Sequence, residues 1–235
     1  MHSRTRRNTG GFTLIELMVA ISIMALIALM GWRALDGMQR ANTQTQSHTD
    51  AVLALDAGLG QWGADLNALV TLPNTTALDW DGRVLRMTHR HSVDAARGVT
   101  VVAWSAGQRD GSLQWLRWQS DAVRTHAEWQ MAWQAAAVWA QSPTTEARAR
   151  EVQLTPLTQW QIFYYRGNSW SNPLSAGGTN NNRNSNSNVN TTAAPTTTTT
   201  APDGVRLVLT LPAPHPLAGT LTRDWVQPTL GSSGP

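Results

Sequence analysis

The stretch Gly10-Gly11-Phe12-Thr13-Leu14-Ile15-Glu16-Leu17 opens an apolar run that reaches Met30. Arg4, Arg6 and Arg7 stand before it, and Glu16 is its single charge. Residues 12–30 would form a helix about 28 Å long at about 1.5 Å per residue, close to the hydrocarbon thickness of a bilayer. No proline interrupts the run, and Gly31 lies at its end. A single helix satisfies its own backbone in lipid. The arginine cluster holds the N-terminus on the cytoplasmic side. Arg33 and Arg40, with Asp36 between them, give the far flank a weaker bias. The polar remainder is then expected to face outward.

Three simpler readings compete. A cleaved secretory signal has the same charged start and apolar run. However, this run is long, holds Glu16 and lacks a small-x-small site at its end; Ala20-Ile21-Ser22 lies too far inside. A buried core helix seldom follows an arginine cluster with so few charges. An ordinary membrane anchor fits the length but leaves Glu16 as an accident, costing a few kcal/mol of insertion free energy.

Glu16 is four residues after Phe12, about one helical turn. An ionisable group in a span usually has a partner or a function. A cut after Gly11 would give Phe12 a free α-amine at a comparable depth. Carboxylate and amine could then pair, within one chain or between neighbours, and offset each other's desolvation where the geometry is good.

The segment Gly11-Phe12-Thr13-Leu14-Ile15-Glu16 resembles the leader junction of type IV pilins and type II secretion pseudopilins. The resemblance implies that a prepilin peptidase cuts after Gly11. It implies that Phe12 becomes the N-methylated first residue of the mature chain, and that Glu16 is the carboxylate used in assembly. The fold implied is α+β and type IV pilin-like: a long N-terminal α-helix, half in the membrane and half soluble, packed on antiparallel β-sheets. Residues 1–11 would be the leader, 12–32 the transmembrane helix and 33–72 its soluble continuation.

The residues beyond the span carry the same expectation. Val52, Leu55, Leu59, Trp62, Leu66 and Leu69 recur at spacings of three and four, one face of a helix. Leu35, Met38, Asn42, Thr45 and Thr49 continue the phase toward the membrane with more polar residues. Pro73 is expected to end the helix, because the residue before proline disfavours helical backbone. Gly58, Gly60 and Gly63 each cost about 1 kcal/mol against alanine, so a kink or early end near Gly58 stays open.

A β-rich domain is expected over residues 73–170 and 203–227. Residues 83–90 alternate around Val84, Leu85 and Met87; residues 99–104 are β-branched and apolar; Gln108-Arg109-Asp110-Gly111 reads as a turn before residues 113–118. Three strands at this spacing suggest an antiparallel meander, with one face on the helix stripe. Residues 121–155 are ambiguous. Residues 128–141 read as a helix or a strand pair, and residues 144–150 as a loop. Residues 160–166, 205–211 and 220–226 read as strands. Between them, residues 171–202 are dominated by Asn, Ser and Thr and read as a disordered low-complexity loop joining two strands of one sheet. Residues 228–235 form a tail.

Softer cues narrow the resemblance to the J-type minor pseudopilins of type II secretion. They are Trp32-Arg33-Ala34-Leu35-Asp36-Gly37, Trp160 to Trp170 with Ser171-Asn172-Pro173, and Pro202-Asp203-Gly204-Val205-Arg206-Leu207 leading to Leu221-Thr222-Arg223. The resemblance implies a place in a tip complex with I-type and K-type minor pseudopilins, near a major pseudopilin. The Asn/Thr insertion departs from a typical member. A minor pilin of a type IV pilus is the alternative, and a membrane-anchored periplasmic enzyme the reading from another class.

Composition excludes several chemistries. There is no cysteine, so disulfides and thiol catalysis are absent. All eighteen Lys+Arg cations are arginine. The net charge is +3, and the first eleven residues carry three arginines and no acid, so the rest sums to +3 − 3 = 0. The basic balance is a leader property, not the basic patch of a nucleic-acid binder. No phosphate loop, zinc pattern or nucleophile elbow is present. His89 and His91 share a strand face without a partner set, so surface histidines are the plain reading. No catalytic residue, cofactor or metal is expected.

Overall fold

A computed structural model describes residues 11–90, 98–175 and 201–228. Arg4, Arg6, Arg7, His91, most of the Asn/Thr segment and the residues after 228 lie outside the described residues. The chain divides into two units, residues 1–50 and 51–235.

In the first unit the described residues are helical from Leu14 onward, the start of helix α1 (Leu14–Asn67). The expected span of 12–32 therefore loses Phe12 and Thr13 to non-helical backbone. Every side chain from residue 11 to 50 is exposed, including Leu14, Ile15, Met24 and Ile27. The later turns are polar. Thr43, Thr45 and Thr49 donate their hydroxyls to the carbonyls of Gln39, Ala41 and Thr45, each four residues back. Such bonds shelter threonine hydroxyls inside a helix that lacks other partners.

The second unit takes up α1 where its stripe turns apolar. Leu55, Trp62 and Leu66 are buried there, and Leu59 packs beside them. Gly58 does not break the helix. A Cβ on it would sit 3.0 Å from the Trp115 ring, so the missing side chain lets the helix approach a strand closely. Gly60 and Gly63 face nothing within 4 Å. Their backbone cost is carried by the burial on either side.

The helix ends at Asn67, short of the expected 72. Competition from a strand decides this, not Pro73. Val70 donates its N–H to Thr88 O at 3.0 Å, and Arg90 donates to Ala68 O at 3.1 Å. Leu69, the last residue of the expected stripe, thus lies in an antiparallel bridge with His89.

Five strands follow in one antiparallel sheet: β1 (Leu78–Trp80), β2 (Val84–Arg90), β3 (Val99–Arg109), β4 (Ser112–Gln119) and β5 (Glu151–Pro156), neighbours in that order. The meander is as expected. β3 runs further than expected, and the turn shrinks to Asp110-Gly111. Both residues have positive φ, 50° and 81°, as a two-residue hairpin of this twist requires.

Alternation then sorts the sheet's two faces. Leu85, Met87, Val102, Trp104 and Trp115 meet α1; Val84, Val101, Ala103, Leu116 and Trp118 point the other way. That second face is covered by α2 (His126–Gln141), through Trp129, Trp133, Ala136 and Trp139. The ambiguity over residues 128–141 resolves as helix. Its start is fixed by a capping box in which the Thr125 side chain accepts from Glu128 N–H and the Glu128 carboxylate returns to the Thr125 N–H. The expected loop at 144–150 holds a further short helix, α3 (Thr145–Ala149), capped by Thr144. Neither α3 nor β5 was expected.

The second sheet is antiparallel in the order β7-β6-β8-β9, from β6 (Gln159–Arg166), β7 (Ser169–Ser171), β8 (Gly204–Leu211) and β9 (Gly219–Val226). Ile162, Tyr164, Val205, Leu207 and Leu209 join the core beneath α1. The strands at 160–166 and 205–211 lie in one sheet, as expected, and pair directly. An unexpected hairpin, β6–β7, turns through Gly167-Asn168 with φ of 55° and 68°. The Asn/Thr segment therefore departs from β7, not β6. The architecture is α+β: a long N-terminal helix followed by antiparallel sheets.

Candidate processing and assembly site

The Gly11–Phe12 bond precedes the first turn of α1 in non-helical, exposed chain, with Phe12 90% exposed. A Cβ on Gly11 would meet nothing within 4 Å. The fold itself makes no demand for glycine there, so a requirement for it would come from whatever reads the junction.

Thr13 and Glu16 close the helix start. Glu16 Oε2 accepts from the Thr13 backbone N–H at 2.9 Å and from its hydroxyl at 2.8 Å; the Thr13 hydroxyl accepts in turn from the Glu16 N–H at 3.4 Å. This reciprocal arrangement satisfies orphan donors at a helix N-terminus. The negative charge also lies at the positive end of the helix dipole. Both side-chain bonds fall on one oxygen, leaving Oε1 open at an exposed position. Gly11, Phe12 and Glu16 fall within six consecutive residues, and the structure gives Glu16 a local partner, Thr13, that spacing to Phe12 alone did not reveal. The Thr-x-x-Glu pattern is the local signal for it.

A second carboxylate on the same helix contrasts with Glu16. Asp65 is fully buried, and its oxygens accept from Arg117 (2.7 and 2.9 Å), Trp104 Nε1 (2.9 Å) and Gln61 (2.7 Å). His89 Nε2 is 3.7 Å away. His89 is thus tied to Asp65, not a plain surface histidine. Asp65 is structural: it anchors α1 to β4. Among the described residues no three His, Asp or Glu side chains come together as metal ligands.

Glu151 plays the same part across the other face. It accepts from Arg109 at 2.7 and 2.8 Å and from Trp139 Nε1 at 2.7 Å. Burial pushes its carboxyl up, but the bonds from Arg109 and Trp139 outweigh this and hold it below the usual carboxylate range.

The long N-terminal helix followed by antiparallel sheets is consistent with a pilin-like fold. The family described as "Prokaryotic N-terminal methylation motif" matches residues 6–32. The chain is also similar to type II secretion system protein J of Klebsiella pneumoniae, 30% identical over 64 residues. That match covers 27% of this chain and 32% of the relative, so the chain spans about a third of the relative's length. The motif supports the pilin and pseudopilin resemblance carried by residues 11–16, and the similarity to protein J supports its narrowing to the J type. They point to a structural, pilin-like role and not to an enzyme. The described part of α1 is also long and apolar enough to cross a membrane, which with the motif fits single-pass anchoring in the inner membrane.

Proposed function

We propose that the chain is a minor pseudopilin of a type II secretion system, a structural subunit of the tip complex that helps start pseudopilus assembly. The observation that carries this is the junction Gly11–Phe12 one turn before a capped carboxylate, within a matched methylation motif. A prepilin peptidase cuts after Gly11, and Phe12 is methylated on its new amine. Residues 1–11 stay cytoplasmic until then, and residues 51–235 face the periplasm. I-type and K-type minor pseudopilins are the partners, with the major pseudopilin next in the filament.

Glu16 is the assembly carboxylate. Its Oε2 is engaged by Thr13, and its Oε1 accepts from a neighbour's α-amine. In low dielectric that pair offsets the desolvation of two charges. Glu16→Ala tests the role: cleavage is expected to proceed normally, while incorporation with other pseudopilins and export fall sharply. Normal export by the Glu16→Ala protein contradicts the role and leaves a plain anchor. Glu16→Gln separates charge from capping, because an amide oxygen still accepts from Thr13 but cannot form an ion pair.

A further inference from the structure

A cleft of about 410 Å³ opens beside the N-terminus of α2, within the range of ligand pockets. Its walls are of two kinds. Leu72, Val99 and Trp129 give it an apolar side. Arg90 and Arg124 give it a cationic side, with the His126 ring beside them. Trp129 is held in place by its Nε1–H, which donates to Thr88 Oγ1 at 3.0 Å, and by stacking of His126 at 5.5 Å. The wall is therefore built by the fold and not by loose side chains.

The arginines are exposed, and among the described residues no carboxylate lies within the 4 Å of an ion pair from either. Asp121, three residues before Arg124, pairs with Arg150 at 2.7 Å, and Glu128, though its charge is felt by Arg124, is committed to the helix cap: it accepts from the backbone N–H of Arg124 at 2.7 Å and of Thr125 at 3.1 Å. Gly98, with φ of 88°, makes room for this arrangement. A Cβ there would meet Val123 O at 2.2 Å and Arg124 Cγ at 3.1 Å, so its absence lets the Arg124 stem lie across the strand start.

Spacing constrains the ligand. Arg90 pairs with Val99 in the sheet, and Val99 bridges to Val123, the neighbour of Arg124. Two strand spacings separate the two arginine-bearing segments, about 10 Å at the backbone. One carboxylate or phosphate does not span that gap. Two carboxylates on alternate residues of an extended peptide do, since both project to one side about 7 Å apart and arginine stems are long. An apolar side chain between or beside them would reach Leu72 and Trp129. Two arginines and a balanced chain are too few for a nucleic-acid backbone, which is met by a basic stripe.

We infer that this cleft docks an extended acidic peptide segment of a partner protein, two carboxylates on Arg90 and Arg124 and an apolar side chain against Leu72, Val99 and Trp129. Arginine pairs with carboxylates bidentately, which gives such a site direction as well as affinity. This does not depend on the secretion reading; it rests on the cleft alone.

The test uses the full chain in nanodiscs of zwitterionic lipid and a fluorescein-labelled peptide, LDLEF, read by polarisation. Saturable binding is expected, weakened by salt and lowered about tenfold by each of Arg90→Gln and Arg124→Gln, the scale of a charged hydrogen bond. Arg83→Gln, an exposed arginine outside the cleft, should leave it unchanged. The neutral peptide LNLQF should bind at least tenfold more weakly than LDLEF. Circular dichroism melts of each variant establish that loss of binding is not loss of fold. The inference is overturned by equal binding of LDLEF to the arginine variants, by equal loss in Arg83→Gln, or by displacement with equimolar pyrophosphate. Capture of phosphatidylglycerol vesicles through the same arginines, without peptide binding, would overturn it in favour of a membrane surface.

Discussion

Glu16 and Asp65 are carboxylates on one helix, and they differ in how completely the chain satisfies them. Asp65 is buried, with three side chains donating to its two oxygens and a histidine close by. Glu16 is exposed, with one oxygen held by Thr13 and the other open. The same contrast separates their surroundings. Residues 11–50 expose every apolar side chain they have, whereas the stripe from Leu55 to Leu66 is buried in a tryptophan-rich core. A satisfied acid in a closed core is a fastener. A half-satisfied acid on a bare apolar helix has an oxygen left for a partner, the role proposed for Glu16.

The comparison is broken most forcefully at Asp65. Asp65→Ala leaves the partly buried Arg117 without its counter-charge and the buried Trp104 Nε1–H without its acceptor, and is expected to cost about 3 kcal/mol, read as a large fall in the melting temperature. Glu16→Ala, at an exposed cap, should cost no more than about 1 kcal/mol and leave the melting of the β-rich unit unchanged. Equal effects of the two changes would erase the distinction.

Glu151 sharpens it with pH. Its folded carboxyl lies below the usual range, so its bonds to Arg109 and Trp139 contribute stability above the unfolded value of about 4.3. That contribution is lost as pH falls through the lower folded value. Glu151→Gln should cost about 2 kcal/mol near neutral pH and flatten the acid limb of a stability-against-pH curve. An unchanged limb in that variant would contradict the assignment.

The glycines of α1 give the smallest effects and the finest test of packing. Gly60→Ala and Gly63→Ala meet open space and should each stabilise by about 1 kcal/mol. Gly58→Ala pushes into the Trp115 ring and should gain nothing or destabilise. Chemical denaturation of the three variants reads the difference; equal gains at all three would mean that α1 does not lie close on β4.

Much of this was legible in the residues. The stripe from Leu55 to Leu66 and the strands at 84–90, 160–166 and 205–211 are local or periodic signals, and periodicity survives folding. What was missed is of two kinds. Some of it was local and readable: the Thr125-x-x-Glu128 box that starts α2, the same pattern at Thr13 and Glu16, and the Gly167-Asn168 turn that creates β7. The rest was non-local. Asp65 meets Trp104 and Arg117 across 39 and 52 residues, and Glu151 meets Arg109 across 42. No spacing rule connects such residues before the sheet exists. The end of α1 belongs to this class too, because β2 draws residues 68–70 out of the helix before Pro73 can act.

The central claim concerns one bond. Intact mass of the protein purified from membranes measures it directly: the account predicts a chain beginning at Phe12 and carrying one added methyl group on its α-amine. A mass that retains residues 1–11, or one that lacks the whole apolar run to Met30, would contradict it.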